Sequence, residues 1–380
     1  MTDVIITNAR VVTPDSVFHG TVILRDGVLL EIAAGQTRAA GAIDLEGDYL
    51  LPGLVELHTD NLERHLMPRP GVNWPVTGAL QSHDALMIAS GITTVFDALS
   101  IGDIVGSSPR IAYLGDMVGA LSDGVRRGTL RASHLLHLRC ELTYEEVVDR
   151  FAQLAADPLV RLASLMDHTP GQRQFADLAK HRQYYQGKYG MDEETLAAFM
   201  ARQMTAHQRF SADHRKAVVT LCQERGIALA SHDDETADHV AQAAAEGVRI
   251  AEFPTTRVAA RAARECGLGI LMGGPNLVLG GSQSGNISAR DLAADGVLDV
   301  VSSDYVPASM LAAAFVLPNC VPGIELPQSV AMVSANPAKL VGLDDRGAIV
   351  AGRRADLIRV DAADTYPAVR AVWCAGDRVF

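Results

Sequence analysis

Aromatic side chains are scarce, only 5% of the chain, so the core must be built mostly from aliphatic groups. Cysteine is scarcer and poorly placed for chemistry. The five cysteines, Cys140, Cys222, Cys266, Cys320 and Cys374, are scattered and form no C-x-x-C pair. That argues against a disulfide framework or a thiolate zinc site and fits buried thiols in a reducing compartment. Positive charge is in deficit. A formal net charge of -12 speaks against nucleic acid as a partner, although a few local basic groups suffice for a phosphorylated small molecule. No apolar run is long enough to span a bilayer. The segment Met1 to Asn8 lacks the basic region and apolar core of a signal peptide, and no repeat or low-complexity segment interrupts the chain. The expectation is a cytoplasmic protein with no membrane partner. A homodimer stays open.

What is present is ample for a core. The chain has 380 residues, 48% of them hydrophobic and 21% charged, enough for one large domain and a small one. It opens on strands: residues 3–7, then 21–24 and 28–32 around the Asp26-Gly27 hairpin turn, then 42–45. From Leu51 strands alternate with helices. The expected strands are 54–57, 92–97, 134–140, 160–166, 227–231, 248–251, 268–272 and 298–302. Thr143 and Glu146 read as a capping box opening the helix after the third strand. Eight alternating units imply a parallel sheet closed into a (β/α)8 barrel. The chain then returns to strands at 345–350, 355–360 and 369–374. The predicted fold class is therefore α/β. It comprises a (β/α)8 TIM barrel over residues 52–344 and a small β-sandwich formed by both chain ends, 1–51 and 345–380.

In such a barrel the chemistry sits at the C-terminal ends of the strands. Here those ends carry His58 and Asp60, Glu141, Asp167 and His168, His232, Glu252 and Asp304. Each alone could be a helix cap or a loop acid. Their recurrence at matching topological positions is harder to explain structurally. Imidazoles mixed with carboxylates suit divalent ions, zinc first and manganese or iron as alternatives, and a set this large suggests two. Asp304, after the last strand, could both bind metal and take the proton from an attacking water. Two further stretches could hold phosphate. The Gly- and Ser-rich loop Gly280-Gly-Ser-Gln-Ser-Gly-Asn286 follows the seventh strand, where barrels often cradle phosphate on backbone N–H groups; Ser282 and Ser284 lie in it. The long excursion after the fourth strand carries Arg173 and Lys188, which read either as cations on a lid or as part of a solvated helical insertion.

Pro52-Gly-Leu-Val-Glu-Leu-His-Thr-Asp60 and Gly347-Ala-Ile-Val-Ala-Gly-Arg-Arg-Ala-Asp-Leu357 resemble the first-strand signature and the return segment of the amidohydrolase superfamily. That resemblance implies a metal-dependent barrel with a sandwich from both chain ends. The usual signature is His-x-His, so Asp60 departs from it. Met67-Pro-Arg-Pro70, Ser82-His-Asp-Ala-Leu-Met87, Leu138-Arg-Cys-Glu141, Leu165-Met-Asp-His-Thr-Pro-Gly-Gln-Arg-Gln-Phe175, Tyr184-Tyr-Gln-Gly-Lys-Tyr189 and Ser302-Ser-Asp-Tyr305 are similar to its branch in phosphonate catabolism, the carbon–phosphorus lyase pathway. The resemblance implies hydrolysis of a phosphoanhydride in a phosphorylated ribose methylphosphonate, with release of pyrophosphate. Arg173, Lys188, Ser282 and Ser284 would hold the departing group. A C–N bond amidohydrolase acting on a small substrate is the alternative, since fold does not fix function. Superfamily members commonly place a carboxylated Lys or Glu on strand four and His on strands five and six. The strand count instead gives Asp167 and His168, His232, then Glu252. A shift of one strand would make Glu141 the bridging carboxylate and His168 and His232 the two imidazoles. That arrangement is preferred, giving His58, Asp60, Glu141, His168, His232 and Asp304 as the metal set, with Glu252 behind it or facing substrate.

Overall fold

The computed structural model describes residues 3–69, 71–102, 110–173, 182, 185–187, 190–282, 285–363 and 366–380. Strands β1 (Val4–Val12), β2 (Val17–Arg25), β3 (Val28–Ala34), β4 (Ile43–Asp44) and β5 (Tyr49–Pro52) come first in the chain. Eight further strands follow: β6 (Leu54–Thr59), β7 (Ile92–Ile101), β8 (Ser133–Glu141), β9 (Val160–Met166), β10 (Ala228–His232), β11 (Ile250–Glu252), β12 (Gly269–Gly273) and β13 (Val300–Ser302). These eight form one sheet in sequential order, with every neighbouring pair parallel. The ring is nearly closed. A parallel bridge joins Thr59 to Asp304, and the Asp304 N–H donates to His58 O at 3.1 Å.

Side chains alternate across each barrel strand, as the pleat requires. On β8, Leu136, Leu138 and Cys140 belong to the outer core beneath the helices, whereas Leu135 packs in the inner core. His137, Arg139 and Glu141 share the inward face with Leu135. The lower barrel is filled by Val55, Leu57, Phe96, Leu162, Ala230, Ile250, Leu271 and Val300 and closed by the helix Ala335–Leu340. Gly269 admits that plug: a Cβ there would lie 2.5 Å from Leu340 Cδ1. The polar residues gather at the opposite end.

The chain ends unite as expected. Strands β14 (Leu357–Asp361), β15 (Ala368–Cys374) and β16 (Asp377–Arg378) join β1–β5 in a continuous sheet, with β14 antiparallel to β5, around a separate small core that includes Trp373, Leu50 and Ile6. Two local expectations are corrected. Residues 345–350 form turns rather than a strand. The edge of β3 is taken instead by the following segment, where Leu29 N donates to Arg353 O and Gly352 N to Leu29 O, both at 2.8 Å. The Thr143–Glu146 capping box is absent. The helix spans Val147–Leu154 with Glu146 at its N-cap and no side-chain cap, because the Thr143 hydroxyl donates to Glu141 Oε1 at 2.8 Å.

No helix among the described residues is long and apolar enough to cross a membrane.

Candidate metal centre

The barrel brings all six expected ligand residues to one end. His58 is the penultimate residue of β6, and Asp60 follows two residues later as the N-cap of the helix Asn61–Leu66. Glu141 ends β8, His168 lies two residues beyond β9, His232 ends β10, and Asp304 lies two beyond β13. The one-strand shift is overturned: Glu141 ends the third barrel strand, Asp167 and His168 follow the fourth, His232 ends the fifth and Glu252 the sixth, so the unshifted strand count holds.

The rings of His58 and His232 are stacked with centroids 5.9 Å apart, and His168 meets His232 edge-on at 5.8 Å. Each of these imidazoles gives its Nδ1–H to a carboxylate. His58 Nδ1 donates to Glu252 Oε1 and His232 Nδ1 to Glu252 Oε2, both at 2.7 Å. His168 Nδ1 donates to Glu141 Oε2 at 2.6 Å. A carboxylate on one ring nitrogen fixes the tautomer and leaves Nε2 as a lone-pair donor, the arrangement found behind metal-ligating histidines. His232 Nε2 lies 3.3 Å from Asp233 Oδ2. Donor atoms of His168, His232 and Asp233 lie within 4.8 Å of one another, as do those of His58, His137 and Glu252. Asp60 Oδ1 is buried with no hydrogen-bond partner, a costly state for a carboxylate unless a cation faces it. The residues present therefore fit divalent ions.

The electrostatics agree with this layout. Burial pushes His58 down, but the Glu252 carboxylate beside it prevails and holds it above the ordinary histidine value. His168 is raised in the same way, with burial opposed by Glu141. Burial raises Glu252, yet His58, His137 and the hydrogen bonds from His232 and His58 overcome it and hold the carboxyl well below its usual range. Burial raises Asp304; His58 opposes it and Asp60 adds to it. His137, whose Nδ1 donates to Leu57 O and whose Nε2 meets Ser164 Oγ, both at 2.9 Å, is pushed down to about 3 by burial and supports the floor of the site as a neutral ring. Three non-glycine residues just past barrel-strand ends adopt left-handed backbone: Asp233 (φ 56°), Phe253 (φ 55°) and Asp304 (φ 54°). Such strain concentrates where side-chain direction matters more than backbone comfort.

The substrate-binding expectations divide. Lys188 and Ser284 lie outside the described residues. Ser282 is partly buried beyond Gly280, the left-handed cap of the helix Gly274–Leu279. Arg173 reaches the mouth, where its guanidinium donates to His232 O at 3.2 Å and pairs with Asp234. Asp167 turns aside from the cluster, accepting from His207 Nδ1 at 2.6 Å and Ser211 Oγ at 2.7 Å.

A second buried group escaped the sequence reading. Asp97 accepts from His83 Nε2 at 2.6 Å and from His134 Nδ1 at 2.7 Å, and Asp84 takes His134 Nε2 at 3.3 Å. It lies on the outer face of β7 and β8, beneath the helix Val76–Ala89. The i, i+2 position of Asp97 from Val95, a residue of the outer core, was the available signal.

Comparison with known proteins agrees with this architecture. The model of the amidohydrolase family matches residues 49–379. The chain is 47% identical over 377 residues to the alpha-D-ribose 1-methylphosphonate 5-triphosphate diphosphatase of Escherichia coli (strain K12), covering 99% of this chain and 100% of that protein. Among solved structures, a mutant form of N-acetyl-D-glucosamine-6-phosphate deacetylase from Mycobacterium smegmatis superposes with a TM-score of 0.65 at 16% identity, covering 100% of both chains. The 5-methylcytosine deaminase from Klebsiella pneumoniae gives 0.66 at 15%, covering 99% of this chain and 98% of the other. At such identities these two speak for the fold alone. The matched family model spans β5, the whole barrel and the C-terminal strands β14–β16, and the chain belongs to the amidohydrolase family.

Proposed function

We propose that this protein is a metal-dependent hydrolase that converts α-D-ribose 1-methylphosphonate 5-triphosphate to the 5-phosphate and pyrophosphate. The observation that carries this reading is the 47% identity across 99% of the chain to the E. coli diphosphatase, and the chemistry of the barrel mouth supports it. His58, Asp60, Glu141, His168, His232 and Asp304 would hold two divalent ions. Their borderline nitrogen and oxygen donors favour zinc, with manganese or iron able to substitute. What bound divalent ions supply here is acidified water and neutralisation of charge on the phosphoryl oxygens.

The protein's own groups do the rest. Water adds its oxygen to phosphorus and the α–β anhydride bond breaks, so the charge leaves on pyrophosphate. Asp304 takes the proton of the attacking water. Burial, which raises this carboxyl, makes it a better base than an exposed aspartate. Glu252 holds the imidazoles of His58 and His232 in one tautomer. Arg173 and Ser282, with Lys188 and Ser284, are the candidates to steady the departing pyrophosphate.

Stripping the protein with a chelator is expected to abolish pyrophosphate release, and adding back zinc or manganese to restore it while the circular dichroism stays constant. Undiminished release from protein verified as metal-free would overturn the proposal.

A further inference from the structure

Of Arg64, Arg110, Arg139 and Arg173, described residues near the catalytic end of the barrel, all but Arg139 are engaged by protein partners. Arg110 pairs with buried Glu63 at 2.8 Å, Arg173 pairs with Asp234, and Arg64 NH1 donates to Tyr305 O at 2.8 Å. Arg139 differs. It stands on β8, two residues before Glu141 and two after His137, on the inward face. His137 below it is within 5.3 Å of the His58 ring, centroid to centroid, and Glu141 above it holds His168. The side chain thus rises from the barrel wall into the space between the first, third and fourth strand ends. Its charge is felt by His58, Glu63, His168 and Asp304. Yet Arg139 takes part in no ion pair among the described residues, and its Nε is buried without an acceptor.

A guanidinium is a rigid planar fork whose donors suit two oxygens of one oxyanion. Leaving such donors unmet in a partly desolvated place lowers stability. Neutralising the neighbouring carboxylates does not account for it: Glu63, Glu141 and Glu252 each have cationic or imidazole partners within 2.8 Å, and Asp60 and Asp304, assigned to the divalent ions in the proposed function, form no ion pair with Arg139. The missing acceptor is one that arrives with the substrate.

We infer that Arg139 is an oxyanion-binding residue of the active site, set to take two oxygens of a phosphoryl or phosphonate group. This rests on the proposed triphosphate substrate, which offers that chemistry at both ends: the polyphosphate and the methylphosphonate.

Calorimetric titration of metal-loaded protein with inorganic pyrophosphate, and separately with methylphosphonate, tells the two ends apart. Arg139→Met is expected to weaken binding of one of these anions by roughly 10- to 100-fold, with Arg139→Lys in between because it keeps the charge but not the fork. Metal content should not change. The melting temperature of Arg139→Met should hold or rise, since the change removes donors that lack partners; a merely structural arginine would lower it. Unchanged affinity for both anions in Arg139→Met, or binding of neither anion by the parent, would overturn the inference. Turnover of the triphosphate by the parent is recorded in parallel. Absent turnover with intact, Arg139-dependent anion binding would count against the substrate reading and leave the role of Arg139 standing.

Discussion

Asp304→Asn is expected to lower kcat by roughly 10²- to 10⁴-fold while the protein stays folded. The asparagine keeps the size and one oxygen of the side chain but cannot take a proton from water. The position is constrained from several directions. The Asp304 N–H is bound to His58 O at 3.1 Å, a parallel bridge to Thr59 closes the barrel there, and the backbone sits at φ 54°. These contacts belong to the main chain and survive the substitution, so the loss should fall on kcat and not on the fold. Steady-state kinetics with pyrophosphate detection, beside metal analysis of the same preparation, would check this. A variant with full metal content and near-parental kcat would remove Asp304 from the role of base.

The second large effect is on stability. Asp97→Asn should cost about 3–5 kcal/mol, the usual penalty for removing one partner of a buried ion pair. Asp97, His83 and His134 are all essentially shielded from water, and the two imidazoles bind opposite oxygens of one carboxylate. An amide can accept from only one of them. Burial opposes ionisation of Asp97, but the charges of His134 and His83 win and hold it down at about 2. Burial also opposes protonation of His134, but Asp97 and Asp84 win and lift it to about 9. The depressed acid contributes stability above its unfolded value of about 3.9, and that contribution is lost as pH falls through about 2. The raised base contributes fully below its unfolded value of about 6.5 and loses its contribution as pH rises through about 9. The gap between parent and variant in urea unfolding should therefore be widest from about pH 4 to 6.5 and narrow towards pH 9. A gap that stays constant up to pH 10 would contradict a charged Asp97–His134 pair.

These two sites were not equally legible in the sequence. His58, Glu141, His168, His232 and Asp304 could be read because a parallel barrel sends every strand end to one pole, so a polar residue after each apolar run carries positional meaning. Glu252 was seen, but its hold on both His58 and His232 was not, since nothing in sequence spacing says which imidazole a carboxylate faces. Asp97 looked like the end of a strand; β7 in fact continues to Ile101, so the residue lies mid-strand on the outer face. Its partners His83 and His134 come from a helix and the next strand. Arg139 lay inside a motif of the family resemblance without a role, because the lack of a partner is a property of three dimensions. The segment 345–350 carried strand-like residues, Ala348, Ile349 and Val350, and Ile349 is indeed buried in the small core. The chain reaches that core through turns because the residues after it take the open edge of β3.

Phosphorus NMR of the metal-supplemented protein with α-D-ribose 1-methylphosphonate 5-triphosphate, run beside His58→Ala, tests the central claim most directly. The predicted result is replacement of the triphosphate resonances by those of pyrophosphate and a 5-monophosphate, with the phosphonate resonance retained and no change in the variant. Release of inorganic phosphate in place of pyrophosphate, or no turnover by a parent protein verified to contain metal, would contradict it.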